Sequence, residues 1–176
     1  MRVVAGEYRG RRLQAPRGLD VRPTSDRVRE ALFSILGDIS GLRVLDLFAG
    51  SGALAIEALS RGAASAVLVE NDRPALDAIR ANLEPLADVE AEVVRADALR
   101  WLDGRRGPFD LVFVDPPYSS ARKLAGPLTQ KLSAALSPEA LIVSESDKRD
   151  PMTLAFPLAD ERIYGHTRIA IHRASD

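Results

Sequence analysis

Cysteine is absent from the 176 residues. Disulfides, thiolate metal sites and cysteine nucleophiles are excluded together, and nothing points to an oxidising compartment. Histidine occurs twice, as His166 and His172. Two such residues, far in the chain from Asp115–Tyr118, do not argue for a metal site. No run of about 18 apolar residues is present to span a membrane. The N-terminal Met-Arg-Val-Val lacks the long apolar region of a signal peptide. A cytoplasmic protein with no membrane association is the expectation. What is present is an ordinary globular composition, 46% hydrophobic and 28% charged. The length fits about one domain. We expect a single domain over 1–176, with 1–40 as a basic N-terminal extension and 41–176 as the core.

Lysine is also scarce, with three against 21 arginines, and the net charge of −1 hides an asymmetry. Residues 1–30 hold eight arginines (Arg2, Arg9, Arg11, Arg12, Arg17, Arg22, Arg27 and Arg29) against four acids. A basic end on a near-neutral chain suggests a polyanionic partner, and the pattern favours nucleic acid over a merely solvated surface.

Taken in order, Val3–Ala5, a polar tip at Gly6–Gly10 and Arg11–Leu13 read as a short β-hairpin, whose arginines could track phosphates. Pro16, Gly18 and Pro23 mark a loop. Thr24 or Ser25 then caps a helix whose face is Val28, Leu32, Ile35 and Leu36, and which Gly37 ends. Strands follow at Arg43–Phe48, Ser65–Val69, Glu90–Val94, Phe109–Val114 and Ala140–Val143. Between them lie helices at Ala53–Arg61, Ala75–Leu83, Asp97–Leu102 and Lys123–Leu136, the last disturbed by Pro127. Two closing strands, antiparallel to one another, are expected around Leu154–Phe156 and Ile163–Arg173, with no helix over Ser146–Asp160. This alternation indicates a parallel, doubly wound α/β sheet.

Two loops carry the chemistry. The first, Ala49-Gly50-Ser51-Gly52, fits G-x-G-x-x-A with Ala55 and leads from strand to helix. Glu70 ends the next strand, 18 residues past Gly52, where a carboxylate accepts from ribose hydroxyls. A nicotinamide, a flavin or a sulfonium cofactor would each satisfy this pattern. Asp97 after the third strand is a helix N-cap, an acceptor for an adenine amino group, or both. The second loop is Asp115-Pro116-Pro117-Tyr118. Neither proline extends the strand, and each restricts the residue before it. The stiff loop presents a carboxylate (Asp115), a carbonyl (Pro116) and an aromatic face (Tyr118) at the carboxyl end of a strand, where open α/β sheets bind ligands. Two acceptors beside a flat face suit a planar group bearing an NH₂; the plain alternative is a rigid turn with an exposed tyrosine. On the first reading the ring of Tyr118 matters and its hydroxyl is dispensable.

DLFAGSG (Asp46 to Gly52), Glu70, Asp97 and DPPY together resemble the motifs of class I S-adenosylmethionine-dependent methyltransferases that act on exocyclic or amide nitrogen. The likeness narrows through VVAGEYRGRRL (Val3 to Leu13), RPTSDRVREALF (Arg22 to Phe33), DLFAGSGALAIEALSRGA (Asp46 to Ala63), VFVDPPY (Val112 to Tyr118) and YGHTRIAI (Tyr164 to Ile171). These are similar to the RsmD family, which methylates guanine N2 in bacterial 16S ribosomal RNA. The resemblance implies a Rossmann-like, seven-stranded, mostly parallel sheet with an antiparallel C-terminal strand and an N-terminal hairpin and helix. It implies S-adenosylmethionine as cofactor, held by Asp46, Phe48, Ala49, Gly50, Gly52, Glu70, Asn71, Asp97, Ala98 and Asp115. Asp115, Pro116, Pro117 and Tyr118 form its catalytic motif. Arg2, Arg9, Arg11, Arg12, Arg22, Thr24 and Arg27 meet RNA, within an assembled small subunit, and a monomer is expected. DNA adenine-N6 and protein glutamine methyltransferases share this chemistry and remain alternatives. A NAD-dependent oxidoreductase is a remoter one, since it leaves DPPY unexplained.

Overall fold

The computed structural model describes residues 1–17, 25–86, 88–104 and 107–174. Arg22, Thr24 and the loop markers Gly18 and Pro23 lie outside the described residues. Ser25 caps α1 (Asp26–Leu36): its side chain accepts from the Val28 N–H, and Gly37, at φ 74°, closes the helix. The core then alternates through β1 (Arg43–Leu47), α2 (Ala53–Ser60), β2 (Ser65–Glu70), α3 (Arg73–Leu83), β3 (Ala91–Arg95), α4 (Ala98–Leu102), β4 (Phe109–Val114), α5 (Tyr118–Leu132), β5 (Leu136–Asp147), β6 (Leu158–Tyr164) and β7 (Thr167–Arg173). The strands form one seven-stranded sheet in the order β3-β2-β1-β4-β5-β7-β6. β1 to β5 are mutually parallel, and β7 runs antiparallel to both β5 and β6. None of the helices among the described residues is long and apolar enough to cross a membrane.

Apolar residues on both sheet faces build two cores. Val44, Leu68, Leu111, Phe113 and Ile169 pack against α1, α2 and α3 on one face. Leu45, Leu47, Val112, Val114 and Ile142 pack against α4, α5 and the segment holding Met152 and Leu154 on the other. The α1 face includes Phe33, which is 1% exposed and packs on Phe113 with ring centroids 5.8 Å apart. Val28, Ile35 and Leu36, taken from the sequence as its core face, are only partly buried.

Several elements depart from the sequence reading; β5 opens at Leu136, which was expected to end the helix before it, and runs to Asp147, beyond the expected Ala140–Val143. α5 begins at Tyr118, not Lys123, with Pro127 inside it. Pro117, at φ −51°, occupies the N-cap, and its carbonyl accepts from Ser120 and Ala121 N–H. A proline costs little there and pre-sets the turn. The expected strand at Leu154–Phe156 is absent; that stretch crosses the sheet face, and the Phe156 carbonyl meets Nδ1 of buried His172 at 3.0 Å. The run Ile163–Arg173 is divided by a two-residue turn at Gly165-His166, with Gly165 at φ 62° and Tyr164 paired with Thr167. A short loop of this kind suits antiparallel strands.

The N-terminal hairpin is narrower than expected, with one bridge between Arg2 and Arg12. The cause is Glu57 on α2, wholly buried, whose carboxylate accepts from the Val4 and Ala5 N–H groups at 2.7 and 3.0 Å. Those amides bond to the core, not across the hairpin. Glu57 also meets Arg61 at 2.8 Å and buried Arg29 at 3.5 Å. Ser60, one turn along, donates to the Ala5 carbonyl and accepts from the Tyr8 N–H. Gly6 sits so close that an added Cβ would lie 1.7 Å from the Ser60 carbonyl oxygen. The extension is therefore knitted to the core by buried polar bonds. Removing one partner of such a cluster leaves uncompensated charge, and Glu57→Ala is expected to destabilise the protein by about 3–5 kcal/mol. Urea unfolding measures this, and a loss under about 1 kcal/mol would mean that the extension is held by something else.

Candidate active site

The strand order reverses between β1 and β4, and the loops after these two strands face each other across that switch point. After β1 the chain turns through Phe48, a non-glycine residue at φ 62°, and Gly50 at φ 58°. Positive φ at a phenylalanine is costly and concentrates at functional loops. A Cβ at Gly50 would meet nothing nearer than 3.9 Å, so its space is open to a ligand. At Gly52, φ 76°, a Cβ would come within 3.0 Å of Leu68; this glycine serves close packing.

Acids bind the loop together. Glu70 accepts from the Gly50 N–H at 2.8 Å with one oxygen, and from Asn71 and Asp72 N–H at 2.7 and 2.9 Å with the other. It thus holds two ligand-facing loops before any ribose arrives. Asp46, 1% exposed, reaches up from β1 to accept from the Ala55 N–H at 3.2 Å, supplying an acceptor that Gly52 cannot. Burial pushes its carboxyl up to about 8, the Ala55 bond pulls the other way, and the Glu70 charge adds to the rise. Asp97 caps α4 by accepting from Arg100 N–H, and Ala98 is buried behind it. Asn71 is exposed beside Glu70.

Asp115 leaves β4 at the same rim. It is partly exposed, yet its carboxyl is closely surrounded by protein. That enclosure raises its pKa well above the ordinary range, and Glu145 and Asp46 raise it further. Pro116 is buried, and its carbonyl meets no donor among the described residues. Tyr118 is 39% exposed. Its hydroxyl lies 3.2 Å from Glu145 and 3.0 Å from Thr167, and its pKa is pushed up to about 12, chiefly by burial. Glu145 and Thr167 were not anticipated. Glu145 follows Ser144, the partner of Val114, so it stands beside Asp115; an acid ending the run Leu141–Ser144 was its only signal. The only signal for Thr167 was its place in the run Tyr164–Ile171, and the β6–β7 turn brings it here. Among the described residues no three His, Asp or Glu side chains converge to hold a metal.

On the N-terminal side, Arg2, Arg9, Arg11, Arg12 and Arg27 are exposed. A cleft of about 400 Å³ lies among Arg2, Arg9 and Arg27, with Asp26 and Glu30 on its wall. Arg11 stacks over the Tyr8 ring at 5.9 Å. Arg29, counted with the basic surface in the sequence, is instead fully buried against Asp26 and Glu57.

A family model described as "Conserved hypothetical protein 95" matches residues 1–173. "Ribosomal RNA small subunit methyltransferase D" of Escherichia coli K12 is 46% identical over 119 residues, 67% of this chain. The match spans 60% of that relative's length. The protein of the same name from Haemophilus influenzae is 36% identical over 86% of this chain and 81% of its own. The solved structure of Escherichia coli yhhF superposes with a TM-score of 0.87 at 38% identity, covering 99% of this chain and 98% of the other.

Asp46 gives the site a pH signature. Ionisation is opposed in the folded chain but not in the unfolded one, so its stabilising contribution is full below its ordinary value of 3.8 and is lost as pH rises through about 8. Without ligand, the protein is expected to lose stability from pH 5 to 8 in urea titrations. Asp46→Asn, which keeps an acceptor for Ala55, is expected to lose less. A wild-type curve that rises over this window would contradict the assignment.

Proposed function

The chain belongs to the RsmD family, "Conserved hypothetical protein 95", and from that premise we propose that it transfers a methyl group from S-adenosylmethionine to the exocyclic N2 of a guanine in 16S ribosomal RNA. The observation that carries the reading is the gathering of acids at the switch point. Asp46 and Glu70 hold the glycine loop and the helix after it, Asp115 leaves the neighbouring strand, and burial together with the neighbouring carboxylates pushes Asp46 and Asp115 toward protonation. A cationic cofactor relieves this, whereas the pyrophosphate of a nicotinamide dinucleotide aggravates it. S-adenosylmethionine fits these residues: Asp46 and Asp115 face its positive charge, Glu70 its ribose hydroxyls, Asp97 and Ala98 its adenine, and Phe48, Ala49, Gly50, Gly52 and Asn71 its body. When bound, it supplies an electrophilic methyl group on a sulfonium.

A guanine amine is a weak nucleophile because its lone pair is delocalised into the ring. Asp115 and the Pro116 carbonyl accept its two N–H groups, which orients the lone pair and stabilises the positive charge growing on nitrogen. Pro117 holds the loop by capping α5. Tyr118 stacks on a base that has left its own stack. The same three groups would serve an adenine or glutamine amide; the family supports guanine. Arg2, Arg9, Arg11, Arg12 and Arg27 contact RNA phosphates, with Arg22 and Thr24 assigned to the same surface from the sequence. The natural substrate is the RNA within an assembled small subunit, met by a monomer in the cytoplasm.

Asp115→Asn keeps the shape but turns one acceptor oxygen into a donor and removes the opposing charge. The single-turnover methyl-transfer rate is expected to fall about 10²–10³-fold, as when one oxyanion-hole group is lost, with little change in cofactor affinity. A near wild-type rate would make Asp115 a turn residue only. Mass mapping of 16S RNA from cells lacking the gene identifies the substrate directly.

Replacing Arg9, Arg11 and Arg12 together by Ala should flatten the dependence of RNA affinity on salt, because fewer counterions are released. An unchanged slope with unchanged affinity would reduce this surface to a solvated one.

A further inference from the structure

Tyr118 is the exposed aromatic side chain of the DPPY loop, and its ring is not left to find its own orientation. The hydroxyl lies 3.2 Å from Glu145 and 3.0 Å from Thr167. A phenol has one proton. Directed to the Glu145 carboxylate, it requires Thr167 to donate to the phenol oxygen, so the bonds run Thr167 to Tyr118 to Glu145. Both anchors stand on rigid strands. Glu145 lies on β5 opposite Ile169, and two residues on, Asp147 lies opposite Thr167. The turn before Thr167 is braced by Lys148, whose N–H reaches the His166 carbonyl at 2.9 Å and whose Nζ reaches that of Gly165 at 2.7 Å.

We propose that Thr167 and Glu145 are positioning residues that clamp the hydroxyl of Tyr118 and so hold its ring as a preset stacking wall for the target base. The inference rests on the methyltransferase reading above. With its only proton committed to Glu145, Tyr118 has none to donate to the base and offers its face alone. Recognition of the NH₂ edge then falls to Asp115 and Pro116, while the ring accepts any flat base. A preset ring also avoids the ordering cost that a loose aromatic side chain meets on stacking. The β6–β7 hairpin, otherwise remote from the chemistry, thereby becomes part of the substrate site.

The hydroxyl expected from the sequence to be dispensable is thus assigned a task, and Tyr118→Phe is expected to lose the clamp but keep the face. Thr167→Val should raise KM for small-subunit RNA about three- to tenfold, the range for one neutral hydrogen bond, with cofactor affinity by calorimetry within about twofold. In a Tyr118→Phe background the same Thr167 change should add nothing. Glu145→Gln, which keeps an acceptor, should restore what Glu145→Ala loses. An unaltered KM in Thr167→Val, or effects of Tyr118→Phe and Thr167→Val that multiply, would overturn the clamp. A readout without catalysis separates it from the parent reading. In protein carrying ¹³Cζ-tyrosine in mixed H₂O and D₂O, a slowly exchanging Tyr118 hydroxyl gives two Cζ lines, collapsing to one in Thr167→Val. A single line in the wild type overturns the clamp; absent methyl transfer with two lines overturns only the function.

Discussion

Helix α2 starts without a cap of its own. Gly52 stands at its N-cap in a left-handed conformation and has no side chain to offer. The first N–H groups of a helix need acceptors, and Asp46 supplies one from the strand beneath. Much of the molecule depends on that placement. The carboxyl is buried because it must lie under the helix, and burial makes it reluctant to ionise. The same helix carries Glu57 and Ser60 one and two turns on, which hold the N-terminal extension. Asn82 on α3 completes the connection, donating to the Ser51 carbonyl in the glycine loop and to Gln14 in the extension. The basic surface and the glycine loop are thus joined through buried polar bonds and are not a core and a loose arm.

The parts legible in the sequence are those governed by local rules. Strand-to-helix alternation, the glycine turn, the Asp97 cap and the double proline after β4 each follow from backbone geometry within a few residues, and each stands where expected. What was not legible depends on distant partners. A hairpin pattern predicts cross-strand bonds for Val4 and Ala5, but a buried glutamate 52 or 53 residues away offers a stronger, charged acceptor. Arg29 looks like one more surface arginine until the same glutamate takes it inside. Glu145 and Thr167 belong to the site only because β7 inserts between β5 and β6, and no spacing in the chain announces that order. Helix α5 misled in the other direction: the expected start at Lys123 is five residues late, because Pro117 and Ser120 set it at Tyr118, and Pro127 is accommodated inside.

The distribution of charge has a consequence for how an RNA would be taken on the proposed function. Arginines crowd the N-terminal face, while Asp46, Glu70, Asp115 and Glu145 gather at the switch point. On that reading phosphates are attracted to the first surface and find no positive partner at the second among the described residues, so a nucleotide would reach the second base first, with its backbone held at the arginines. The base edge that suits Asp115 and the Pro116 carbonyl is the one carrying two N–H donors, and the positive charge that balances the acids comes with the cofactor. On the proposed function these acids therefore have two tasks at once: they would hold a cation and accept the N–H groups of an amine.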